Sequence, residues 1–158
     1  MEPATVSVRW HPEARLLKTR VSGVLSADDV QAWKARLDEA GARIPPAQPF
    51  RMLIDIRGYQ VADQARDVHQ VMREVTPLFL AAHGFTVGFF SLYDEAPPLA
   101  RNDVARCGAV AHVHHDVAKM DRYNELLATP HERFFTDAEE AEAWLLAVTH
   151  APEAIANI

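Results

Sequence analysis

Phe50-Arg51-Met52-Leu53-Ile54-Asp55-Ile56 is a nearly continuous apolar run. A strand with one wet face alternates apolar with polar residues, whereas an unbroken run marks a strand covered on both faces. Covering both faces takes helices, so this stretch points to a mixed α/β sheet. Ile44-Pro45-Pro46-Ala47-Gln48-Pro49, just upstream, can continue neither a helix nor a central strand. Arg57-Gly58-Tyr59 ends the run.

Working outward, Val6, Val8 and Trp10 alternate on one segment and Leu17, Thr19 and Val21 on the next, with a turn at His11-Pro12-Glu13-Ala14. The pair reads as a hairpin. Ser26 with Asp29 makes a helix start, Val30, Trp33, Leu37 and Ala40 form its apolar stripe, and Gly41 is the expected stop. Downstream, a helix is predicted from about Ala65 to His83, kinked or split at Pro77. A second buried strand is expected over Phe85–Leu92, then a loop from Asp94 to Gly108 with a short helix through Val104–Cys107. Ala109–His115 reads as a strand and Asp116 as the cap of a helix carrying Val117, Met120, Tyr123 and Leu127. Glu132–Phe135 closes the strands, Thr136 with Glu139 forms a capping box for a last helix, and 149–158 is expected to fray. A strand before nearly every helix predicts a single α/β domain. Its sheet has five to six mostly parallel strands, an antiparallel N-terminal hairpin at one edge, and right-handed crossovers.

Composition agrees with one packed domain: 158 residues, 49% hydrophobic, against roughly 150 residues per domain. The formal charge of −6 and the absence of a Lys/Arg cluster argue against nucleic acid. The start has no basic-then-apolar leader, and Pro77–Phe90, broken by His83 and Gly84, is too short to span a bilayer. A soluble cytoplasmic protein without stable membrane insertion is expected. The lone Cys107 fits a reducing compartment.

The opening hairpin with Gly23 before the first helix, Leu53-Ile54-Asp55-Ile56 followed by Asp63, and Phe134-Phe135-Thr136-Asp137 through Ala143-Trp144-Leu145 together resemble the SpoIIAA-like fold of STAS domains. The likeness is to the stand-alone bacterial branch described as STAS/SEC14-like. In anti-sigma antagonists of this family a serine at the start of the helix after that strand is phosphorylated. Here the matching residues are Asp63-Gln64-Ala65-Arg66, without a hydroxyl, so the resemblance implies the fold and not the phospho-switch.

Eight histidines stand out, and three fall in His112-Val113-His114-His115-Asp116. Alternation puts His112 and His114 on one face and His115 on the other. His112, His114 and His115 are candidate ligands for a divalent metal such as zinc, although H-x-H-H lacks a specific zinc spacing. Ligands of open α/β sheets bind beyond the carboxyl ends of the strands. Asp55, Arg57, Tyr59, Tyr93, His112 and His114 are therefore the candidate ligand-binding set. Cys107, Asp94, His114 and His115 are weaker catalytic candidates, set against bland readings in which Cys107 packs and Asp94 faces water. No P-loop, G-x-G-x-x-G or G-x-S-x-G is present. The expected function is a non-enzymatic module for a small, lipophilic ligand or a protein partner, with no cofactor. The alternatives are a metal- or histidine-dependent enzyme centred on His112–His115 and a homodimer whose function is assembly.

Overall fold

The computed structural model describes residues 3–61, 66–88 and 104–148. Strands β1 (Thr5–His11) and β2 (Leu16–Leu25) form the expected antiparallel hairpin. Helix α1 (Ala27–Arg43) leads to β3 (Phe50–Asp55), then β4 (Tyr59–Val61) and helix α2 (Arg66–Ala82). Strand β5 (Cys107–Val113), helix α3 (Val117–Leu127), strand β6 (Glu132–Phe135) and helix α4 (Ala138–Ala147) complete the order. The six-stranded sheet runs β1-β2-β3-β5-β6, with β4 extending along the far end of β2, and every pairing after the hairpin is parallel.

Alternation sorts the side chains into two layers. Leu17, Val21, Phe50, Met52, Ile54 and Val110 pack with Trp33 and Leu37 of α1 and Met72, Val75 and Phe79 of α2. Leu16, Leu53, Ala109, Ala111 and Val113 face the other way, onto Ala141 and Leu145 of α4. Cys107 and Val110 share the α1/α2 side because one extra residue, Gly108, interrupts the β3–β5 register. Such a bulge shifts the two-residue phase by one.

Several local expectations are corrected. Helix α1 runs through Gly41, because that buried position lies against His83 and Phe79, where a side chain would not fit. Of the two outcomes expected at Pro77 the split does not occur, since α2 is one helix with Pro77 inside it. Val104–Cys107 is not helical, and β5 starts two residues early, the bulge hiding its period. Asp137, not Thr136, caps α4, accepting from the Glu139 and Glu140 amides. Phe85–Gly88 is not a strand, while residues 89–92 and most of the expected loop lie outside the described residues, as do Asp63, Gln64 and Ala65. The Ser26/Asp29 capping box and the Asp116 cap form as read.

At the β6 edge, Asn124 of α3 holds the strand backbone from both sides: its amide donates to the Phe134 carbonyl (2.6 Å) and its carbonyl accepts the Phe134 N–H (2.9 Å). Thr129 and Glu132 exchange backbone hydrogen bonds in an isolated bridge just before it. Among the described residues no helix is long and apolar enough to cross a membrane.

Candidate functional site

The parity that buries Val110 on the α1/α2 side also turns His112 to that side, at the carboxyl end of β5. Its ring stacks on Phe134 of the neighbouring strand, with centroids 4.7 Å apart and planes 10° from parallel. Behind it Glu132 of β6 is only 1% exposed. A buried carboxylate needs donors for its oxygens, and both are supplied: Oε2 lies 2.8 Å from His112 Nε2 and Oε1 accepts the Gly88 N–H at 2.9 Å. His112 Nδ1 has no hydrogen-bond partner among the described residues.

In front of His112 is a cleft of about 340 Å³ between the strand ends and helices α1, α2 and α3. Trp33, Ile54, Ile56, Met72, Met120 and Phe134 give it apolar walls, and Tyr59, His69, Arg73, His114, Lys119 and Tyr123 give it polar ones. Trp33 is fixed by its indole N–H, which donates to Thr19 Oγ1 at 2.7 Å. Arg73 and Lys119 form no ion pair among the described residues, and Lys119 Nζ lies 5.7 Å from the centre of the Tyr123 ring.

Strand β4 brings Tyr59 against His69 of α2, hydroxyl to Nδ1 at 2.6 Å with the rings stacked. Burial, opposed by Arg73, pushes the Tyr59 hydroxyl up to about 12, so it stays protonated and can donate to His69. His114 has its affinity for a proton lowered, first by partial burial and then by neighbouring His115 and Lys119. A neutral ring suits its contact, since Nδ1 accepts the Asp116 N–H at 3.0 Å.

The expected ligand-binding set is divided by the sheet. Tyr59, His112 and His114 meet at this cleft. Asp55 and Arg57 belong to the opposite face, because Ile54 pairs with His112 and Asp55 with Val113. There Arg57 holds the buried Asp55 carboxylate with two hydrogen bonds, 3.0 and 2.9 Å, in a groove shared with Arg9, Lys18 and Arg20. Tyr93 and Asp94 lie outside the described residues.

The three neighbouring histidines do not converge. β5 ends at Val113, so His114 and His115 leave the strand and stack on each other, centroids 4.3 Å apart, with His115 Nδ1 directed to the Gly58 N–H. Among the described residues no group of three His, Cys, Asp or Glu side chains is placed to hold a metal ion. Cys107 is fully buried and its thiol is pushed up to about 12 by that burial, the opposite of what a nucleophile needs.

Glu132, His69, Arg73 and Lys119 escaped the sequence reading. Glu132 carried a signal: a carboxylate opening the strand Glu132-Arg133-Phe134-Phe135, two residues from Phe134 and therefore on the same face as the ring that stacks on His112. The other three are polar residues on amphipathic helices, which pattern alone assigns to solvent.

A family model described as SpoIIAA-like matches residues 16–146. Among solved structures, an uncharacterised protein of the DUF3478 family with a SpoIIAA-like fold, from Shewanella loihica PV-4, aligns at 14% identity and a TM-score of 0.49. The alignment covers 92% of this chain and 95% of that one. No curated protein matches the chain.

Proposed function

The chain belongs to the SpoIIAA-like family, and from that premise we propose that it is a binding module whose strand-end cleft takes a small amphipathic acid. One observation carries the reading: apolar walls and two cations with no ion-pair partner among the described residues, Arg73 and Lys119, line the same cleft, with no carboxylate among its described lining residues. The volume of about 340 Å³ falls at the small end of the roughly 300–1,000 Å³ typical of ligand pockets. An apolar tail gains from leaving water against Trp33, Met72 and Met120, while a carboxylate gains charge-assisted hydrogen bonds at the rim.

The test compares octanoate, 1-octanol and octylammonium by calorimetric titration. Octanoate is expected to bind best, and Arg73→Gln with Lys119→Gln to weaken it about tenfold or more, from the roughly 1.5–3 kcal/mol of a charged hydrogen bond. Equal binding of octanoate and octylammonium, or no binding of octanoate, rejects the reading.

A further inference from the structure

The buried Glu132 does more than fill space, because it decides which nitrogen of His112 carries the proton. An ionised carboxylate only accepts hydrogen bonds. Its two oxygens receive two N–H groups, from Gly88 and from His112 Nε2. A neutral His112 ring therefore keeps its proton on Nε2 and presents a bare lone pair at Nδ1. The Phe134 stack prevents the ring from turning freely. Across the remaining polar lining, Arg73 and Lys119 are pure donors, the Tyr59 hydroxyl is engaged with His69, His69 and His114 accept at Nδ1 and so carry their proton on Nε2, and the Thr76 and Tyr123 hydroxyls can donate as well as accept. The cleft thus combines cationic donors and adaptable hydroxyls with a fixed acceptor, His112 Nδ1, that cannot also donate.

From this pattern we infer that the ligand carries, beside its anionic group, an O–H donor that is given to His112 Nδ1: the site selects a hydroxy acid over the plain acid. The inference rests on the acid-binding reading and narrows it. A plain acid leaves Nδ1 shut off from water without a donor, and that mismatch, not any added attraction for the tail, makes the difference.

Two measurements test it. At pH 8, calorimetric titration compares octanoate with 2- and 3-hydroxyoctanoate. The better hydroxy acid is expected to bind about tenfold more tightly than octanoate. If octanoate binds as well as both, the hydroxyl inference is overturned while acid binding stands; if none of the three binds, both fall. The second needs no ligand: long-range ¹H–¹⁵N correlation on the free protein at pH 8 is expected to show His112 as the Nε2–H tautomer. An Nδ1–H tautomer, or a ring protonated on both nitrogens, overturns the inference directly. His112→Gln, which retains an N–H donor toward Glu132, is expected to bring the hydroxy acid down to the affinity of octanoate. Unchanged preference in that variant counts equally against it.

Discussion

Replacing His112 with Phe probes whether Glu132 is held by a real charge-assisted bond. Phe keeps a flat aromatic ring for the stack on Phe134 and adds one ring atom, so the main change is the loss of both ring nitrogens. It leaves a carboxylate whose side chain is 2% exposed with the Gly88 N–H as its one partner among the described residues. With His112 neutral this is a hydrogen bond to a charged group and not an ion pair, and losing one costs about 1.5–3 kcal/mol. The carboxylate left behind stays charged and buried, so the upper end of that range applies, about 3 kcal/mol. For a chain of this size that lowers Tm by roughly 6–12 °C. Urea unfolding followed by tryptophan fluorescence measures it, with an unchanged slope confirming that the native state is intact. Glu132→Gln alone should cost about 1 kcal/mol, since the amide can still accept from Gly88 and donate to a reversed imidazole tautomer. Combining it with His112→Phe should be markedly less damaging than the sum, because no charge is then buried. A His112→Phe cost under about 0.5 kcal/mol, or simple additivity, would refute the pairing argument.

Gly41→Ala should destabilise by about 1 kcal/mol even though it lies inside a helix. The usual gain of about 1 kcal/mol is outweighed by overpacking of about 1–3, since the new Cβ would stand 2.6 Å from His83 Nε2 and 2.7 Å from Phe79. His83 cannot easily yield, its Nδ1 being bonded to the Ala105 carbonyl at 2.7 Å; a rise in urea midpoint would contradict this. His83 and His114 are both held below the ordinary 6.5, chiefly by burial. The unfolded chain then takes up protons first, so their contribution to stability is intact above pH 6.5 and is lost as the pH falls through the folded-state values. Imidazole Cε1 shifts should place both midpoints below 6.5, and a midpoint above it for either ring would show the sign to be wrong.

The architecture was legible because its signals are local. Phe50–Ile56 is apolar enough to demand two covered faces, and Ser26 with Asp29 and Asp116 start their helices by short-range hydrogen bonds. The site was legible only in part, for reasons of phase and distance. Counting alternate residues from Cys107 assigns His112 to the α4 side; the extra residue at Gly108 reverses that count. Asp55 and His112 both sit at strand ends, yet their register puts them on opposite faces. Neither Glu132 beneath His112 nor His69 beside Tyr59 could be paired from the chain, since the first contact joins two strands across the α3 crossover and the second depends on how α2 docks beside β4. Gly41 misled for a related reason: a glycine near a helix end signals a stop, but here it makes room for a neighbouring helix.

The clasp on β6 bears on how this molecule can meet its own copies. A strand at the rim of a sheet normally offers a row of free amides and carbonyls that another chain can extend. On β6 that row is taken: Thr129 satisfies the Glu132 backbone and Asn124 satisfies that of Phe134. The opposite rim, β1, has β2 on one side and no strand on the other among the described residues. Arg36 takes one β1 carbonyl, that of Val6, and growth of the sheet from one molecule into the next is blocked along β6, which denies an endless ribbon built on both rims.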